Sequence, residues 1–181
     1  MSPALQRNSD SLWAEFQSTF SEFAGLSIQA FSETGSAVQP SPKLPPLCAF
    51  FQRYPETQAA CKRDCFSKAA ACRDSRKTLS ARCYAGLSYR VIPIRKRNRL
   101  HSVILVGRAL TEVFGGEQCL GFIERYKLSR ESFLESLAGV RSLGSPDLDR
   151  IALFVRRLAT TFIAGDTRLE HRRAMLDRKQ G

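Results

Sequence analysis

The sequence predicts an α+β fold, a sheet and helices built into one domain. Residues 80–94 and 99–110 read as strands, and the second holds Ser102-Val103-Ile104-Leu105-Val106, rich in β-branched residues. Apolar residues recur at helical spacing near both ends, as Leu12, Phe16, Phe20 and Phe23 and as Leu148, Ile151, Val155, Leu158 and Phe162. With 181 residues, 43% hydrophobic and 25% charged, the chain can bury one substantial core.

In chain order, Asp10 or Ser11 is expected to cap a first helix, which Gly25 ends. Residues 1–8 ahead of it are expected to be flexible. Leu26, Ile28 and Ala30 alternate with Ser27, Gln29 and Phe31 as a short strand. Thr34-Gly35-Ser36 reads as a tight turn, with Ala37-Val38 starting a return strand. Pro40, Pro42, Pro45 and Pro46 then impose a loop that delivers Leu47 and Cys48 to the body of the domain. Pro55 suits the first turn of a helix over residues 56–73.

Beyond that helix, Arg95-Lys96-Arg97-Asn98-Arg99 is a basic hairpin tip between the two central strands, its charges opposing edge-to-edge pairing. Gly115-Gly116 precedes two short helices, 117–126 and 129–137, with Leu120, Ile123, Phe133 and Leu137 inward. Ser145 or Asp147 starts the last helix, where Phe154 and Ile163 widen the apolar face. Residues 148–162 form a heptad-like seam that is either core or the contact of a homodimer. Residues 166–181, with His171-Arg172-Arg173, make a basic helical tail.

The net charge of +11 is concentrated. Residues 48–100 hold thirteen Lys/Arg and three Asp/Glu, so they carry +10 and the rest of the chain +1. Such a block attracts nucleic acid, anionic ligands or an acidic protein surface, or is simply a solvated face. A nucleic-acid-associated role is the less favoured reading, because no base-reading helix and no interleaved stacking aromatics accompany the charge. No phosphate loop of the P-loop or Rossmann type occurs. No apolar run nears the roughly 18 residues of a membrane span, and the first residues lack the apolar core of a secretory signal. A cytoplasmic location is expected, with the six cysteines kept as thiols.

Five of those cysteines lie between Cys48 and Cys83. Cys61, Cys65 and Cys72 share one stripe of the 56–73 helix. Along its axis Cys61 and Cys65 are about 6 Å apart, and Cys72 is about 10 Å further on. Thiols at i and i+4 can grip one ion; Cys72 is out of reach of it.

Leu47-Cys48, Cys61-x3-Cys65, Cys83-x-Ala85-Gly86-Leu87, Pro93-Ile94 and Gly107 together carry a resemblance. Over residues 9–165 the chain resembles the PocR-type sensory domain, a bacterial ligand-binding module related to PAS domains. The resemblance implies a PAS-like antiparallel sheet with helices packed on one face, joined by the N-terminal and C-terminal helices. It places a small organic ligand, diols included, between sheet and helices. Relatives commonly have His where this chain has Tyr84, and a polar residue such as Gln where it has Arg108. They often precede a DNA-binding, kinase or cyclase domain, whereas this chain is expected to act as a stand-alone module signalling to a partner protein or a dimer mate.

The resemblance singles out Cys48, Cys61, Cys65 and Cys83. Four thiolates can close a zinc site or hold an iron–sulfur cluster; buried structural thiols and a thiol redox sensor are the alternatives. Cys72 and Cys119 read as core. The expected ligand-binding residues are Tyr84, Tyr89, Arg90, Pro93, Gly107 and Arg108. Either arginine, if inward, would favour a carboxylate or phosphate; surface arginines on the basic face are the competing expectation. No enzymatic activity is expected, since a Cys83–His101 nucleophile pair has no third orienting group.

Overall fold

The computed structural model describes residues 3–32, 37–39, 41–73 and 75–177, with the side chains of 12–32, 41–73 and 75–162. Helix α1 (Pro3–Ala24) leads into strands β1 (Ser27–Ser32) and β2 (Ala37–Gln39). Two helices follow, α2 (Pro46–Phe51) and α3 (Pro55–Arg73), then strands β3 (Leu79–Arg82), β4 (Ser88–Lys96) and β5 (Arg99–Ala109). Helices α4 (Gly116–Tyr126), α5 (Arg130–Ala138) and α6 (Ser145–Asp177) complete the chain. The expected turn at Thr34-Gly35-Ser36, and Pro40, lie outside the described residues.

The strands make one antiparallel sheet in the order β2-β1-β5-β4-β3, an α+β, PAS-like arrangement. Strands β4 and β5 meet through the expected tip. Arg97 and Asn98 both take positive φ, 48° and 69°, the two-residue turn whose twist suits a hairpin. Alternation sends Ile92, Ile94, Ile104 and Val106 to one face, where Phe20 and Ala24 of α1 and Ala152, Val155 and Ala159 of α6 cover them. Tyr89, Val91, Val103 and Leu105 point to the other face, under Cys65, Ala69 and Cys72 of α3. Beyond the sheet, a third cluster joins α2, α4 and α5 around Phe50, Phe51 and Phe133.

Several expectations need correction. Residues 80–94 are not one strand: Cys83–Leu87 is a tight turn between β3 and β4, closed by the Cys83 N–H to Leu87 O and the Gly86 N–H to Cys83 O, both 2.9 Å. Gly86 adopts φ 82° there, where a Cβ would lie 2.8 Å from the Phe114 ring. Helix α1 runs through Asp10 and Ser11 instead of starting there. Pro46 is not loop but the first residue of α2, a place where its missing N–H costs nothing.

Some apolar positions also face outward. Leu12, Phe23, Leu120 and Phe154 are exposed, while Cys119 takes the inward place expected of Leu120. The α6 seam is core, with Leu148 and Val155 fully buried against the sheet. Helix α6 carries the backbone on through residue 177; the side chains of Ile163, His171, Arg172 and Arg173 lie outside the described set. No helix among the described residues is long and apolar enough to cross a membrane.

Candidate functional site

Five elements converge where α3 crosses the end of the sheet. Helix α2 brings Cys48, buried with Leu47, Phe50 and Phe51. The α2–α3 junction is locked by Thr57, whose hydroxyl bridges Phe51 O and Tyr54 O. Helix α3 then turns Cys61, Asp64 and Cys65 toward the sheet. The Cys83–Leu87 turn supplies Cys83 and Tyr84, β4 supplies Tyr89, and β5 supplies Arg108.

Arg108 reaches the site through a bulge. Tyr89 pairs with Gly107 and Ser88 with Ala109, so Arg108 is the unpaired extra residue, at φ 66°. Strict alternation would have sent Arg108 to the α6 face. Instead a Cβ on Gly107 would meet Leu148 of α6, and Arg108 takes the α3 face. Arg108 is 5% exposed, and its guanidinium donates to Ser27 Oγ (3.2 Å), Gln29 Oε1 (3.1 Å) and Cys65 Sγ (3.1 Å). The Tyr89 hydroxyl donates to Asp64 Oδ2 at 3.1 Å. The Tyr84 hydroxyl is buried with no partner among the described residues.

The thiols differ sharply in character. A hydrogen bond from Cys61, with the Arg108 guanidinium beside it, outweighs burial and lowers Cys65 to about 6. The same hydrogen bond, with burial, pushes Cys61 up. Burial raises Cys48 to about 12 and raises Cys83 as well. At neutral pH the site therefore holds one thiolate, Cys65, facing one guanidinium. A thiol ordinarily ionises near 9.0, so folding releases a proton from Cys65 between about pH 6 and 9, and this contribution to stability grows as pH rises through that window. Titrating thiolate absorbance near 240 nm should show one group with a midpoint near 6. Cys65→Ser should abolish it and Arg108→Gln should raise it; a wild type with no thiolate below pH 7 would contradict the pairing.

The expected residues separate into two groups. Cys48, Cys61, Cys65, Cys83, Tyr84, Tyr89 and Arg108 come together. Pro93 lies on the same face further along β4, opposite Val103. Gly107 positions Arg108. Arg90 is on the other face, 3% exposed, with Nε 2.6 Å from Asp149 Oδ1 and Nη2 2.7 Å from Ser145 Oγ in the first turns of α6. Neither arginine is the surface residue of the competing expectation.

Cys72 is core, as expected, its thiol 3.6 Å from Val91 O. His101 is exposed and stands eight residues along the hairpin from the Cys83 end, about 25 Å away, so no Cys83–His101 pair exists. Asp64, Ser27 and Gln29 were not anticipated. Their signal was present: Asp64 borders the cysteine stripe, and Ser27 and Gln29 are two of the three polar residues of β1.

Part of the basic block is structural. Arg90 is buried, Arg95 Nη2 donates to Arg73 O at the end of α3 at 2.8 Å, and Arg82 pairs with Glu112 at 2.5 Å. The remaining site boundary is a groove of about 400 Å³ between α3 and α4, floored by Asp64 and Tyr84 and flanked by Arg63, Arg125, Phe122 and Tyr126. Among the described residues no three His, Cys, Asp or Glu side chains are set to hold a metal ion. As arranged, the Arg108 guanidinium stands on the Cys65 sulfur as a charge-paired thiolate.

No curated protein and no solved structure matches the chain. A family model does, described as the sensory domain found in PocR, and it spans residues 9–166, which include every residue of this site. The chain belongs to the PocR sensory-domain family.

Proposed function

We propose that the chain senses a small organic molecule between α3 and the sheet, beside the gathered cysteines, and passes its occupancy to α6. One observation carries the reading: buried polar groups from α3, the Cys83–Leu87 turn and three strands converge there, on residues within the family match. Burying such groups is costly unless they are satisfied, and sites that meet this cost are commonly built to hold a ligand. The route outward is short. Tyr89 faces the site while its neighbour Arg90 grips the first turns of α6, and Gly107 lies against Leu148 of the same helix.

A thermal-unfolding screen with small diols, alcohols, carboxylic acids and phosphates tests the proposal. A true ligand at a hundred times its Kd should stabilise the fold by about 2.7 kcal/mol. A silent screen across all four classes would remove the sensing reading.

Helix α6 is also where a homodimer through residues 148–162 would form. Its seam is taken up by the sheet, which leaves Leu153 and Phe154, 49% and 53% exposed, as the apolar contact. Phe154→Glu should convert a dimeric wild type to monomer on sizing while changing stability by no more than about 0.5 kcal/mol. An unchanged mass would reject that face.

Zinc or an iron–sulfur cluster at Cys48, Cys61, Cys65 and Cys83 is a second reading, favoured by the gathering of four cysteines in one region. Metal content and the absorption spectrum of anaerobically purified protein decide it. Metal-free protein that is stably folded would discard it.

A further inference from the structure

We infer that the β4–β5 hairpin tip and the end of α3 form a contact surface for the phosphate backbone of a nucleic acid, separate from the sensing site. Residues 73–77 and 95–99 hold seven Lys/Arg and one Asp, a balance of +6 in ten residues. The two runs are distant in sequence, and the fold joins them through Arg95. Its Nη2 donates to Arg73 O at 2.8 Å and to Ser75 O at 3.4 Å, while its Nη1 donates to Asn98 O at 3.2 Å. Ser75 in turn fixes the loop after α3, its hydroxyl donating to Lys77 O (3.0 Å) and accepting from the Lys77 N–H (3.1 Å). Arg95 is thus a brace that holds other cations together at one end of the sheet. Arg76, Lys77, Arg97 and Arg99 are exposed there, and none forms an ion pair among the described residues.

The tip also has the form of a ribbon. Pairing of β3 with β4 ends at Leu79–Val91, and pairing of β1 with β5 ends at Ser32–Ser102. The pairs Arg95–Leu100 and Lys96–Arg99 therefore have no strand on either outer side. A two-stranded ribbon is narrow enough to lie against a duplex or enter its major groove. Other anionic partners fit this end less well. A protein interface is anchored by apolar and aromatic side chains, and a membrane surface takes up apolar ones. Among the described residues no large apolar side chain is exposed between residues 73 and 101. The nearest before them, Phe66, lies about 10 Å back along α3. Phosphates need cations alone, guanidiniums above all, and no base-reading helix. Contact with the backbone carries no base sequence preference.

The test measures binding of the full chain to a labelled DNA duplex of about 20 base pairs, by fluorescence anisotropy across a salt series. Log K should fall linearly with log salt at a slope of about −3 to −4, the value for four phosphate contacts. Arg97→Gln with Arg99→Gln should reduce that slope by about 2 and weaken binding at least about tenfold at about 100 mM salt. Arg156→Gln with Arg157→Gln removes the same charge from α6 and should leave both unchanged. All four substituted residues are exposed, so the fold should be retained. No binding at about 50 mM salt would overturn the surface. An equal loss from the α6 pair would overturn it too, leaving only the attraction of net charge. Displacement of the duplex by poly-glutamate as readily as by unlabelled duplex would assign this end to an acidic protein instead. Tighter binding to phosphatidylserine vesicles than to duplex would assign it to a membrane.

Discussion

Gly107→Ala should lower stability by about 3 kcal/mol, the sum of backbone strain and overpacking that each cost about 1–3 kcal/mol. Gly107 sits at φ 125°, a conformation that side-chain-bearing residues rarely adopt. An added Cβ would lie 3.0 Å from Leu148 Cδ1, 3.0 Å from Tyr89 Cα and 3.1 Å from Ser88 O. The leucine tip can move; the two backbone atoms belong to β4, a central strand, and cannot move without disturbing its pairing. Urea unfolding should show a lower midpoint with an unchanged slope. The 240 nm titration of Cys65 should shift upward in the same variant, because the bulge that aims Arg108 at the thiolate is strained. A variant with the wild-type midpoint and an unmoved titration would show that the bulge does not depend on glycine.

That bulge also marks the limit of what the sequence makes legible. Alternation places Tyr89 and Val91 on one face of β4 and Arg90 and Ile92 on the other, and the structure agrees. Applied to β5, the same rule puts Arg108 on the wrong side, because one unpaired residue resets the alternation and nothing in a two-residue period announces it. The helical spacing of Cys61 and Cys65 correctly brings them together.

Spacing shows which residues share a stripe, but it does not tell which stripe meets the core. Leu12 and Phe23 therefore fall outside while Phe20 falls inside. The charge count misleads for a related reason. Thirteen cations in one block read as a surface, yet Arg90 of that block, like Arg108 just beyond it, is buried because Asp149 and Cys65, 59 and 43 residues away, meet them there. Partners so distant in sequence leave no local signature. The Cys83–Leu87 turn was hidden differently, inside a stretch of apolar residues whose single punctuation is Gly86.

Phe133→Ala should cost about 3–5 kcal/mol, the range for emptying a buried aromatic site. Phe133 is fully buried, with ring centroids 6.3 Å from Phe50, 6.1 Å from Phe51, 6.5 Å from Phe114 and 6.4 Å from Phe122. It thus joins α2, α4 and α5, the cap that carries Cys48 and packs on Tyr84 through Phe51 and Phe122. Phe133→Leu, which keeps much of the volume, should cost less, and Phe23→Ala, at an exposed position, should stay within about 0.5 kcal/mol. The loss should be felt first in the cap. Native-state alkylation of Cys48 should accelerate in Phe133→Ala at denaturant concentrations where the fluorescence of Trp13 is still native. Trp13, the one tryptophan, packs with Phe16 and Phe162 on the opposite face of the sheet and reports that side alone. If Cys48 exposure and Trp13 fluorescence instead changed together, the cap and the sheet would unfold as one unit, and ligand-linked motion of the cap would have to involve the whole domain.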